Sequence, residues 1–270
     1  MTTERIFLDK SDDRVWIDLY LHGDGATRPA MLVIPGGGYG MVCHDREGEP
    51  VARAFFLRGY NAFVLNYRVA RDTDRYPAQL LDASRAVLYI RTNAARLSVD
   101  PERVYATGFS AGGHLAGSLA ILHSDPDVLA ELGIEKGANR PDACVLCYPV
   151  VSCLTETHGE SFENLLGCSA YDIAAEQRSA VSLECNVGPD SAPLFIWHTA
   201  EDEAVPPDGS ILLTRAYVRH GLPVTFQLYP YGPHGVALAN EETCANNPDF
   251  VQPIADGWVD YAVKWLDTLA

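Results

Sequence analysis

The residue best placed for covalent chemistry is Ser110, inside Gly108-Phe109-Ser110-Ala111-Gly112. Arg103–Phe109 reads as a strand and the small residues up to His123 read as a helix, so this G-x-S-x-G lies on a strand-to-helix turn. Glycines two before and two after the serine let neighbouring backbone approach where a Cβ would clash. Such a turn lifts the hydroxyl to the carboxyl edge of a sheet and sets the Ala111 amide at a helix amino terminus, facing developing negative charge. A hydroxyl at its ordinary pKa is a poor nucleophile, so it needs a base, and the base needs a third group to orient it. The chain supplies both in order. A carboxylate cluster, Glu201-Asp202-Glu203, lies in HTAEDEAVP, and His234 lies in GPHGVAL. Each follows a strand-like run, which puts it at the strand ends where open α/β sheets build their sites. The remaining histidines (22, 44, 114, 123, 158, 198 and 220) read as structural; His198 ends a core strand and His114 lies one turn beyond Ser110.

A second glycine-rich segment, Pro35-Gly36-Gly37-Gly38-Tyr39, directly follows the strand-like Ala30–Ile34. Consecutive glycines can aim several backbone N–H groups at one point. The G-x-G-x-x-G spacing of dinucleotide sites and the Gly-Lys-Ser/Thr of phosphate loops are both absent, so neither cofactor is expected. The remaining reading is an oxyanion hole made by Gly37, Gly38 and Ala111. Tyr39, beside that loop, is expected to line an acyl or sugar pocket. No metal and no cofactor enters this chemistry.

The elements around these residues alternate in period. Arg14–His22, Ala30–Pro35, 61–67, 103–109, 143–149, 193–199 and 223–230 read as strands. Between them, Leu80, Ala83, Val87, Ile90, Ala94 and Leu97 follow helical spacing over Pro77–Leu97, with SVDP as the stop. Further helices are expected at 209–220 and roughly 250–269. This alternation predicts a three-layer α/β/α sandwich around a mostly parallel sheet, in one domain over residues 1–270. The stretch 150–192 has only broken helical pattern, at Phe162–Leu166 and Tyr171–Ala180, and is expected to be a lid or binding insertion.

Charge removes several classes of partner. Twenty Lys+Arg against 36 Asp+Glu leave −16, and residues 121–203 alone carry 3 basic and 15 acidic groups. A surface this anionic repels nucleic acid and anionic membranes. The charged amino terminus does not read as a signal peptide, and no apolar run approaches a membrane span. Seven cysteines, an odd number, fit reduced thiols in a cytoplasm. Cys144 and Cys147 form C-x-x-C, but within a strand-like run they point to opposite faces, which argues against a redox or metal pair.

Taken together, PGGGY (35–39), NYR (66–68), YPAQLLDASRAV, DPERVYATGFSAGGHLAG (100–117), the HTAEDEAVP loop and LYPYGPHGVALA resemble the α/β-hydrolase superfamily. The resemblance is to its esterase/lipase branch, which includes acetyl-xylan and related carbohydrate esterases. In that branch the acid lies in H-x-x-x-D-x-x-V; the matching residues are His198, Asp202 and Val205, so Asp202 is preferred over its neighbours. The resemblance implies a serine esterase with Ser110, Asp202 and His234 as its triad. The substrate would be a small-molecule short-chain ester, acetyl on a sugar or xylo-oligosaccharide. A small amidase, arylformamidase or peptidase with the same triad is the rival enzyme, and a binding protein on a hydrolase scaffold is the rival outside enzymes. The oligomeric state is left open.

Overall fold

Ala30, Leu32 and Ile34 pack into one hydrophobic core while Met31 and Val33 pack into another, so a single strand separates two apolar layers. The computed structural model describes residues 2–70 and 74–269. Within them one eight-stranded sheet is formed by β1 (Thr2–Phe7), β2 (Trp16–Leu21), β3 (Arg28–Ile34), β4 (Asn61–Asn66), β5 (Val99–Phe109), β6 (Cys144–Cys147), β7 (Leu194–Thr199) and β8 (Val224–Tyr229). Their spatial order is β1-β2-β4-β3-β5-β6-β7-β8. Pairing is antiparallel at β1/β2 and β2/β4 and parallel from β4 onward.

Helices cover both faces, as the alternating pattern predicts. Ala78–Thr92, Ala111–Ile121 and Asp208–His220 contribute Leu80, Val87, Leu115, Leu213 and Tyr217 to one core. Glu49–Phe56 and Trp258–Leu266 close the other with Phe55, Trp258 and Leu266. The parallel strands are nearly continuous buried runs, which is what a sheet covered on both sides requires.

The differences from expectation have local causes. β1 was not anticipated: its sequence TTERIF is largely polar, and it is an edge strand paired only with β2. The helix expected over Pro77–Leu97 stops at Thr92, and Ala94–Leu97 forms a separate turn. Ser98 then takes a left-handed φ of 52°, so β5 begins at Val99, ahead of the proline read as a stop. The last helix starts only at Trp258, after Gly257 at φ 89°. The 150–192 stretch holds the short helices Gly159–Leu166 and Ala175–Val181. Cys144 and Cys147 are buried in opposite cores, and burial pushes both thiols well above their ordinary pKa. Among the described residues, no helix is long and apolar enough to cross a membrane, and no group of three or more His, Cys, Asp or Glu is arranged to hold a metal.

Candidate active site

β5 ends at Phe109 and a helix begins at Ala111, leaving one residue for the whole turn. That residue, Ser110, adopts φ 53° and ψ −120°, a conformation costing on the order of 1–3 kcal/mol outside glycine. The flanking glycines make the turn sterically accessible. A Cβ on Gly108 would lie 2.1 Å from the Gly112 carbonyl oxygen, and one on Gly112 would lie 2.2 Å from that of Ile34. The helix therefore packs against the end of β3 with no room for a methyl group.

Three stretches of chain meet at this turn. The Ser110 hydroxyl lies 2.8 Å from His234 Nε2, and His234 Nδ1 lies 2.6 Å from Asp202 Oδ2. Asp202 is 3% exposed, Ser110 is 8% exposed, and the imidazole reaches the surface of the cleft. Burial works to raise the Asp202 pKa. Hydrogen bonds from His198 and His234, the charge of His234 and the Val205 amide outweigh it and hold the carboxyl well below the usual aspartate range. An ionised Asp202 can only accept, so His234 Nδ1 carries the proton and Nε2 is free to accept from Ser110. The line can thus draw a proton off the hydroxyl.

The structure also separates Asp202 from the two acids beside it. Both Glu201 and Glu203 are exposed, and Glu201 accepts from the Gly232 amide. Asp202 receives the amides of Ala204 at 3.1 Å and Val205 at 2.8 Å on Oδ1, and His198 Nε2 at 3.2 Å on Oδ2. His198, near the end of β7, is therefore a support for the acid. Its Nε2 also donates to the Val205 carbonyl, and Ser210 bonds its Nδ1. The signal was present in the H-x-x-x-D spacing.

On the other side of Ser110, the loop after β3 turns through Gly37 at φ 125° and Gly38 at φ 61°. Gly37 admits no side chain, because a Cβ would lie 2.3 Å from the Met41 carbonyl oxygen. Among the described residues, the amides of Gly37, Gly38 and Ala111 take no backbone or side-chain acceptor, whereas the Gly36 amide is bonded to Glu47. Asn164, from the 150–192 stretch, donates to the Gly38 carbonyl at 2.9 Å and holds the loop from above. A cleft of about 500 Å³ joins Gly37, Gly38, Ser110 and His234 to Met41 and to His158, also from that stretch.

Tyr39 departs from expectation. It is 1% exposed, packs edge-on against Tyr67 and is absent from the cleft lining. Its hydroxyl lies 2.7 Å from His114 Nδ1, and His114 Nε2 donates to the Val181 carbonyl. Burial lowers the His114 pKa to about 4, so the ring is neutral and accepts from Tyr39. The left-handed backbone at Tyr39, φ 58°, turns its ring inward to the core.

A mostly parallel sheet in this strand order, with a serine at the tight turn after β5, defines the α/β-hydrolase superfamily. Residues 17–217 match the BD-FAE family model, and the chain belongs to the BD-FAE family. It is 41% identical over 226 residues to endo-1,4-beta-xylanase B of Butyrivibrio fibrisolvens, covering 83% of this chain and 35% of that protein. It is 27% identical to the acetylxylan esterase of Xylanibacter ruminicola, covering 87% and 46% respectively. The chain thus spans less than half the length of both. Among solved structures, the acetyl ester-xyloside bifunctional hydrolase of Caldicellulosiruptor lactoaceticus superposes with a TM-score of 0.81 at 31% identity, covering 98% of this chain and 96% of the other.

Proposed function

We propose that this chain is a serine carboxylic-ester hydrolase that removes short acyl groups, acetyl foremost, from sugars or xylo-oligosaccharides. Ser110 attacks the ester carbonyl as His234 takes its proton. Asp202 keeps the imidazole in the productive tautomer and stabilises its charged form. The amides of Gly37, Gly38 and Ala111 receive the oxyanion, each such donor contributing about 3 kcal/mol to the transition state. His234 returns the proton to the departing sugar alcohol, then activates the water that releases the acyl-enzyme.

The observation that carries this reading is the unbroken Ser110–His234–Asp202 line, at 2.8 and 2.6 Å, beside backbone amides with no other acceptor among the described residues. The acetyl and sugar preference is supported by the chain's similarity to an acetylxylan esterase and an acetyl ester-xyloside bifunctional hydrolase. The test is labelling by a fluorophosphonate probe together with turnover of acetylated xylo-oligosaccharides, graded p-nitrophenyl esters and N-formylkynurenine. Folded wild-type protein should label at Ser110 and prefer acetyl esters. A Ser110→Ala variant that hydrolyses them at the wild-type rate would overturn the assignment.

A further inference from the structure

Glu47 is 3% exposed and forms no ion pair among the described residues. A buried carboxylate is costly unless donors surround it, which directs attention to what those donors are. Oε2 accepts the Gly36 amide at 2.8 Å, and Oε1 lies 2.8 Å from the Tyr148 hydroxyl. The Ala237 amide donates to the same hydroxyl at 3.0 Å. Because an N–H can only donate, Tyr148 oxygen is the acceptor from Ala237 and its proton points to Glu47. Each carboxyl oxygen of Glu47 thus has one donor, the pattern that favours the ionised form.

This chain of bonds joins the two loops on which the proposed chemistry depends. Gly36 opens the glycine loop, and Ala237 lies three residues beyond His234. Tyr148 directly follows β6 with a left-handed φ of 36°, and its ring packs edge-on against the His234 imidazole at 5.1 Å. Strained backbone of this kind persists only where its surroundings hold it. By occupying the Gly36 amide, Glu47 also takes that donor out of the oxyanion hole.

Resting on the serine-esterase reading above, we infer that Glu47 and Tyr148 are positioning residues: they clamp the glycine loop to the histidine loop and set a second buried anion beside the catalytic imidazole. Burial raises the Glu47 pKa above its ordinary value, and the two donors and the charge of His234 offset only part of that rise. The attraction is reciprocal, so Glu47 favours the imidazolium that forms when Ser110 gives up its proton. Among the described residues, the other ionisable groups facing His234 are Asp202 through its hydrogen bond, Cys43, Arg46, His158 and Glu160 across the cleft, and Glu201, Glu203 and Asp249 on the opposite flank.

The experiment compares Glu47→Gln and Tyr148→Phe with wild type in kcat, KM and the pH dependence of kcat/KM, with thermal unfolding alongside. Both variants should lose about 10- to 100-fold in kcat, with KM changed less, because reacting groups are displaced while the cleft keeps its shape: Tyr148 lies outside the lining, and at Glu47 a carboxyl becomes an amide of the same size. Removing the anion should shift the acidic limb of Glu47→Gln downward by about 0.5–1 pH unit. Tyr148→Phe keeps the carboxylate, so its limb should move less. Wild-type kcat in both variants, or limbs that move equally, would overturn the clamp while leaving the esterase reading intact. Loss of folding in both variants would reduce the pair to a structural role and overturn it too. A folded wild type that neither labels nor turns over esters would remove the esterase reading, and the clamp with it.

Discussion

Replacing Asp202 by asparagine tests the proposed chemistry at its most constrained point. Two backbone amides, from Ala204 and Val205, converge on Oδ1, while Oδ2 faces His234 Nδ1 and His198 Nε2. An asparagine here keeps its oxygen on the two amides, whose protons are fixed, because on the other side His198 Nε2 retains the Val205 carbonyl as acceptor and the His234 proton can move. Its NH₂ then stands where Oδ2 was and donates to His234 Nδ1. The imidazole proton moves to Nε2, the very atom that has to accept from Ser110 at 2.8 Å. In Ser-His-Asp hydrolases this wrong tautomer costs about 10⁴-fold in kcat, which corresponds to about 5.5 kcal/mol of transition-state stabilisation. KM should change little, since no cleft-lining surface is altered beyond one atom. The measurement is kcat on p-nitrophenyl acetate for Asp202→Asn and, as a neighbour control, for Glu203→Gln. The exposed Glu203 variant should stay within about twofold of wild type. Asp202→Asn activity within tenfold of wild type, or an equal loss in Glu203→Gln, would refute the assignment of the acid.

Two further expectations concern stability. Gly112→Ala would place a methyl 2.2 Å from the Ile34 oxygen and 2.4 Å from the Pro35 oxygen, both backbone. It should destabilise the fold by about 2–3 kcal/mol, a fall of roughly 5–10 °C in Tm, and an unchanged Tm would contradict the close approach. For Asp202 the folded-state pKa lies below the unfolded one, so its ionised form stabilises the fold above the ordinary aspartate range, and this contribution is lost as pH falls toward the folded value. The Tm difference between wild type and Asp202→Asn should therefore hold from pH 7 to about pH 4 and narrow below it; a difference still constant at pH 3 and below would mean the carboxylate's charge is not what stabilises the fold.

The layers of the fold were legible because each signal was local and repeated. The runs at 30–34 and 61–66 carry buried residues almost without interruption, and the spacing of Leu80, Val87 and Ile90 marks one helical face. What was not legible depended on partners far away. The polar TTERIF becomes a strand because β2 offers it an unpaired edge, with Arg5 also paired to Asp18 across the ladder. The helix ends at Thr92 because Asn93 leaves helical backbone, at φ −105° and ψ 15°, and the early start of β5 follows Ser98 adopting a left-handed backbone, which no residue type there announces.

The same division runs through the site. Ser110, Asp202 and His234 could be placed from sequence because each lies in a loop after a strand, and topology alone brings such loops to one edge of the sheet. Side-chain direction carries no such signal. Tyr39 follows the glycine run and its position puts it beside the cleft, yet its φ of 58° sends the ring to His114 in the core. Glu47 presents the opposite case: a charged residue in the four-residue turn His44–Glu47 reads as surface, and only the folded chain brings Gly36, Tyr148 and Ala237 around it. Residues that perform bond-making steps are constrained by local turn geometry, which leaves a motif. Residues that hold two loops together are constrained only by what arrives from elsewhere, so their evidence lies in hydrogen-bond directions and becomes readable once the loops are in place.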